Sequence, residues 1–137
     1  MYTWTSPVLP ADVSVIGGVL DPTAPGRGEH LTFDRILGRC GHAWMGFLTD
    51  LGGFGVEIIC PRVEVDYLRE VGAGDLLIDV TVLSVGRTSF RLRLALRQHD
   101  AAVAAAEVVL VAFDYTTGSS VPLTQGQRDA LERHLVA

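Results

Sequence analysis

The 137-residue chain contains no lysine and no asparagine, and all eleven of its basic residues are arginine. Without lysine there is no Schiff-base chemistry and no phosphate loop of the kind built on an ammonium group. Cysteine is scarce as well. Cys40 and Cys60 form no CxxC pair and no disulfide framework, and their settings, GRCGHAW and VEIICPR, suit buried free thiols. His42 stands two residues from Cys40, but positions i and i+2 of a helix face apart, which counts against a thiol–imidazole pair. No apolar run approaches the roughly 20 residues of a membrane span. The opening MYTWTSPVLP lacks the basic and apolar regions of a signal peptide, so a cytoplasmic protein is expected. Positive charge is in deficit. A net charge of −5 argues against nucleic acid or an acidic membrane as partner, because phosphate binding needs concentrated cations.

What is present is apolar: 48% hydrophobic and 20% charged residues describe a folded chain, and the length suits one domain over residues 1–137. From residue 56 the pattern is β. In RVEVDYLR, Val63, Val65 and Tyr67 alternate with Arg62, Glu64 and Asp66. VGAGD (71–75) reads as a turn, LLIDVTVLSV as a strand and GRT (86–88) as a corner. SFRLRLALRQ then puts Phe90, Leu92, Leu94 and Leu96 inside, with Arg91, Arg93 and Arg97 outside. HDAA (99–102) makes a hairpin into VAAAEVVLVAFDY, apolar on both faces like a central strand. YTWTSPVL adds an N-terminal strand, DPTAPGRGEH is a loop, and QGQRDALERHLVA suits a short amphipathic helix. These hairpin-linked strands imply an antiparallel sheet.

Residues 30–52, HLTFDRILGRCGHAWMGFLTDLG, have helical periodicity through Phe33, Leu37, Cys40, Trp44, Leu48 and Leu51. Yet Gly38, Gly41 and Gly46 each cost a helix interior about 1 kcal/mol relative to alanine. With Arg35, Arg39, His42 and Thr49, two of them give the second face a small, polar character. That predicts a covered face, approached by another backbone. A helix wrapped by the curved sheet that follows would provide the cover. GGFG (52–55) follows the helix as a cap and turn.

A helix followed by such a meander resembles the hotdog fold, an α+β architecture in which a curved antiparallel sheet wraps one long central helix. Residues 62–123 are similar to the 4-hydroxybenzoyl-CoA thioesterase-like family in several places. Tyr67 matches the aromatic ending a strand, and Gly74-Asp75 the turn. Gly86-Arg87-Thr88-Ser89-Phe90 matches a G.TSF element, and Thr117-Gly118 with Val121-Pro122-Leu123 matches TG..VPL. The resemblance implies hydrolysis of an acyl thioester of coenzyme A or an acyl carrier protein, in a homodimer or homotetramer with sites at subunit boundaries. Such a reaction needs donors for the carbonyl oxygen, which helix-start amides around Thr32, Phe33 and Asp34 would supply. It also needs a base or nucleophile. The family's acid is the second of a D.D..G.V stretch; here Asp12 matches the first acid, Gly17 the glycine and Val19 the valine, while Ser14 occupies the catalytic position.

Serine without an adjacent base is a poor nucleophile. Three substitutes stay open. The enediyne polyketide thioesterases, which this chain resembles further through Gly38-Arg39-Cys40, imply Arg39 on the oxyanion with Ser14 orienting water. Asp21 or Glu29 of the intervening loop is a second source of a base, and in an alternative register Asp21-Pro22 matches the family's Asp-Pro; Asp34 in the first helical turn is a third. His42 is a packed or substrate-contacting residue, and no partner at metal-ligand spacing accompanies it, so neither metal nor cofactor is expected. Arg91, Arg93 and Arg97 form either a solvated face or a contact for coenzyme A phosphates. The rival readings are a non-catalytic acyl-thioester-binding hotdog protein and a hotdog dehydratase or isomerase.

Overall fold

The computed structural model describes residues 1–15, 29–55 and 57–136, with Ser14, Val15 and Glu29 as backbone only. In chain order the elements are β1 (Tyr2–Val8), a 3₁₀ turn (Pro10–Asp12), β2 (Ser14–Val15), β3 (Glu29–His30), α1 (Phe33–Leu51), β4 (Ile58–Tyr67), β5 (Gly74–Val85), β6 (Ser89–Gln98), β7 (Ala101–Asp114), β8 (Ser119–Ser120) and α2 (Gln125–Glu132). The sheet runs β1-β5-β6-β7-β4, every pair antiparallel, with β8 against β7. β2 and β3 form a separate ribbon that pairs Ser14 with His30 and Val15 with Glu29. The stretch expected as a plain loop over 21–30 therefore ends in a strand.

The alternation in β6 is observed: Phe90, Leu92, Leu94 and Leu96 are buried, and Arg91 and Arg93 are exposed. Register shifts at Ile59/Arg62, Val82/Ser84 and Leu96/Arg97 mark irregularities of the kind that bend a sheet. One face of this curved sheet receives α1, which buries Ile36, Cys40, Ala43, Phe47 and Leu48 against it. This is the hotdog arrangement of helix and sheet. The helix starts three residues later than its periodicity suggests, because Thr32 holds an extended N-cap conformation. It ends at Gly52, whose φ of 77° turns the chain and whose N–H donates to the carbonyls of Leu48 and Thr49. α2 is closed at its start by a reciprocal pair: Gln127 N donates to Thr124 Oγ1, and Thr124 N donates to Gln127 Oε1.

The three helix glycines have separate explanations, and the covered face is corrected. A Cβ on Gly46 would overlap Cζ3 of Trp4 and lie 2.6 Å from its Cε3, so the intruder is an indole of β1 and not a backbone. A Cβ on Gly41 would meet only Trp44 at 3.8 Å, and one on Gly38 would meet nothing within 4 Å. Among the described residues, Gly38, His42, Met45 and Thr49 form an open stripe. A single wide apolar stripe suffices to fix the helix on the sheet, so its other face needs no cover from this chain.

Candidate active site

Two hydrogen bonds set the start of α1. Leu31 N donates to the carbonyl of Val71 at 2.7 Å, tying the residue before the N-cap to the β4–β5 loop. Tyr67, at the end of β4, donates its hydroxyl to the carbonyl of Phe33 at 3.1 Å. Arg35 N and Ile36 N already donate to the Thr32 carbonyl, so the N–H groups of Phe33 and Asp34 lead the helix ahead of its first internal bonds. Thr32 makes no side-chain cap of its own.

Beside this end lies a cavity of about 400 Å³ lined by His30, Leu31, Phe33, Ile36, Tyr67, Leu68, Arg69, Glu70 and Val71. Most of that wall is apolar, and Phe33, one of its residues, is 64% exposed. Its polar side chains come from His30, Tyr67, Arg69 and Glu70. His30 Nδ1 faces Glu70 Oε1 at 3.7 Å; the imidazole is 17% exposed, whereas the carboxylate is largely in solvent.

A neighbouring cleft is lined by Ala11, Asp12, Asp34, Arg35, Gly38, Arg39 and His42. The Thr32 hydroxyl beside Asp34 holds its carboxyl below the usual range, helped by the backbone N–H groups of Asp34 and Arg35. That carboxylate thus draws on the same helix-start donors. Arg39 is braced on the N-terminal segment, donating to Ser6 Oγ at 2.8 Å and the Pro7 carbonyl at 2.5 Å, and pairing with Asp12 at 3.2 Å. Asp12 is itself held below its ordinary pKa, first by the Leu9 N–H and then by Arg39. Cys40 is fully buried, and burial pushes its thiol up to about 12, which leaves no thiolate near neutrality.

The structure therefore gathers the sequence-predicted residues into two adjoining places. Phe33 borders the cavity and Thr32 is the N-cap of the helix that starts there, while Asp34, Arg39 and His42 share the cleft. The backbone of Ser14 lies opposite His30, with Glu29 next along β3; Gly17 and Asp21 lie outside the described residues. Sequence reading missed His30 and Glu70. The one signal for His30 was its place two residues before a threonine N-cap; its approach to Glu70, forty positions on, had none. Within the arginine stripe on β6, Arg91 pairs with Glu107 and Arg97 with Asp79, while Arg93 is exposed.

The signature of the thioesterase-like superfamily matches residues 11–131. The chain belongs to that superfamily. Solved structures of the same fold agree. One is a predicted thioesterase from Bacillus stearothermophilus, with 19% identity, 98% of each chain covered and a TM-score of 0.74. Another is a thioesterase from Thermus thermophilus complexed with coenzyme A and Zn, with 21% identity, 96% of this chain and 91% of that one covered, and a TM-score of 0.75. A third is a 1,4-dihydroxy-2-naphthoyl-CoA thioesterase from Synechocystis, with 17% identity, 95% and 94% covered, and a TM-score of 0.73. Against curated protein sequences nothing matches. Superfamily membership supports thioesterase activity.

Proposed function

We propose that this thioesterase-superfamily protein hydrolyses an acyl thioester of coenzyme A or of an acyl carrier protein. The observation that carries the reading is the apolar cavity opening beside the two leading amides of α1. An acyl chain or ring fits the wall made by Leu31, Ile36, Leu68 and Val71, which would set its thioester carbonyl at the helix start. There the N–H groups of Phe33 and Asp34 would hold the oxygen as it gains charge, in fixed positions and with the helix dipole behind them. Water adds to the carbonyl carbon, the C–S bond breaks, and an acid and a free thiol result. Ser14, Asp21, Glu29 and Asp34 are the candidates for delivering that water, and Arg39 is the candidate for steadying the oxyanion from the cleft side.

The chain acts as one domain, in the cytoplasm, as a homodimer or homotetramer. β4 closes one side of the sheet with its outer edge unpaired among the described residues, and an open edge favours pairing with a second copy. Tyr67 and Leu68 at its end line the cavity, so such pairing would set a subunit boundary at the site. Within the described residues no helix is long and apolar enough to cross a membrane.

The test is release of free thiol from a panel of acyl-CoA and acyl-carrier thioesters. Turnover with saturation supports the reading. Stoichiometric binding without thiol release would make the protein an acyl-thioester binder, and loss or movement of a double bond would make it a dehydratase or isomerase.

A further inference from the structure

Tyr67 ends β4, and its hydroxyl donates to the carbonyl of Phe33, the first residue of α1. A carbonyl only accepts, so the direction of this bond is fixed. The Phe33 carbonyl and the Asp34 N–H are the two ends of one planar peptide group. That N–H is one of the two leading amides on which the hydrolysis proposed above depends. A hydrogen bond to the carbonyl draws electron density from nitrogen towards oxygen, and the N–H becomes a stronger donor. In a helix such a carbonyl accepts from the amide four residues on and keeps a second lone pair, which suits the phenol.

The sheet holds the phenol from behind. Tyr67 lies across from Ala104 of β7, and the N–H groups of Leu68 and Arg69 both donate to the Val103 carbonyl, at 2.9 and 3.1 Å. Further along the same connection, the Val71 carbonyl accepts from Leu31 N. The β4–β5 connection therefore holds the helix start at Leu31 and at Phe33, on either side of the Thr32 N-cap. Gln98 holds that connection in turn, at Gly72. Two such anchors fix both the position and the rotation of the first helical peptide. Burial raises the Tyr67 phenol above its ordinary value, so at neutral pH it keeps the proton that it donates. The exposed Asp34 carboxylate draws on the same N–H and so competes for this donor, but it does not set the donor's direction.

From this arrangement we infer that Tyr67 is a positioning residue for the hydrolysis: through the Phe33 carbonyl it aims and strengthens the Asp34 N–H as a donor to the substrate's carbonyl oxygen. The inference rests on the thioesterase reading. A donor set in this way needs no reorganisation as negative charge develops on that oxygen, because the sheet has fixed it before the substrate arrives.

The experiment measures kcat and KM in parent and Tyr67→Phe proteins for the thioester of the panel that turns over fastest. Its partner measurement is the infrared stretch of a bound, carbonyl-labelled ketone analogue, in which a methylene replaces the thioester sulfur. The analogue cannot be hydrolysed, and its stretch falls as the carbonyl is polarised. Tyr67→Phe is expected to lower kcat by about 3- to 30-fold with KM nearly unchanged. The stretch should move up towards its value in water, a shift that a merely structural contact would not produce. Replacement of Tyr67 by 3-fluorotyrosine, a more acidic donor that keeps the bond, should move the stretch down. Thermal unfolding reports whether each protein is folded, and should Tyr67→Phe not fold, the fluorinated protein decides. Parent-like kcat in Tyr67→Phe, or a stretch that neither replacement moves, overturns the role of Tyr67 and leaves the hydrolase intact. A parent protein that releases no thiol overturns the hydrolase reading itself, and this one with it.

Discussion

The side chain of Gln98 grips both polar groups of Gly72: Oε1 accepts from Gly72 N at 3.1 Å, and Nε2 donates to its carbonyl at 2.9 Å. A second donation reaches the Gly74 carbonyl at 3.2 Å, and the glutamine is only 5% exposed. Gln98→Ala would leave these loop groups without partners in a buried place, a loss of about 2 kcal/mol. In a chain of this size the unfolding midpoint should fall by roughly 6–10 °C, as calorimetry would show. Because the clamped loop carries Val71 and Glu70, the same variant should also lose turnover at temperatures where it remains folded.

Gly46 and Gly38 should respond oppositely to alanine. At Gly46 the new methyl collides with the Trp4 ring and costs about 1–3 kcal/mol. At Gly38 it meets open space and should stabilise the helix by up to about 1 kcal/mol. Denaturant midpoints of the two single variants test this. Combining Gly46→Ala with Trp4→Leu should recover part of the loss.

Asp34 offers a test of the helix-start amides as an oxyanion site. Its carboxylate draws on the Asp34 and Arg35 N–H groups and would repel a developing negative charge nearby. Asp34→Asn removes the repulsion, so kcat/KM for a thioester should rise by about two- to tenfold. A large fall in its place would identify Asp34 as the group delivering water.

Acid should weaken the fold in part through Asp79. Burial pushes this carboxyl up, but hydrogen bonds from Arg97 and Thr3 outweigh burial and leave its pKa below the ordinary value. A folded pKa below the unfolded one stabilises above the unfolded value, about 3.9, and that contribution is lost as pH falls through the folded value. Asp79→Asn should therefore cost about 1 kcal/mol near pH 7 and flatten the stability profile below about pH 4. Urea unfolding across pH 2–7 measures both effects.

Cys40 should resist alkylation. With its thiol pushed up to about 12 and its surface fully covered, thiol reagents at mildly alkaline pH should label it only when the protein opens. Cys60, partly buried, should label first. Peptide mass mapping before and after denaturation distinguishes the two.

Local patterning was legible where each residue's environment is set by its own strand or helix. The inward row Phe90, Leu92, Leu94 and Leu96, the turn at His99–Asp100, and the Gly52 cap all follow from period and backbone preference. The similarity to thioesterases was carried by residues near turns for the same reason. By contrast, the covered helix face was inferred from composition, and composition does not say which chain, or which side chain, comes near. Gly46 is required by Trp4, an indole 42 positions earlier and on another strand.

By itself, then, the sequence determined the order of elements, the faces of the long strands and the presence of a helix poised before them, because hydrophobic period acts over neighbouring residues. Only the tertiary structure decided which polar groups share the cavity. Val71 must return to Leu31, and Glu70 to His30, across a whole helix and strand, and no local preference encodes a hydrogen bond or a charge contact made at that separation. The chemistry of the site lives in those long-range closures.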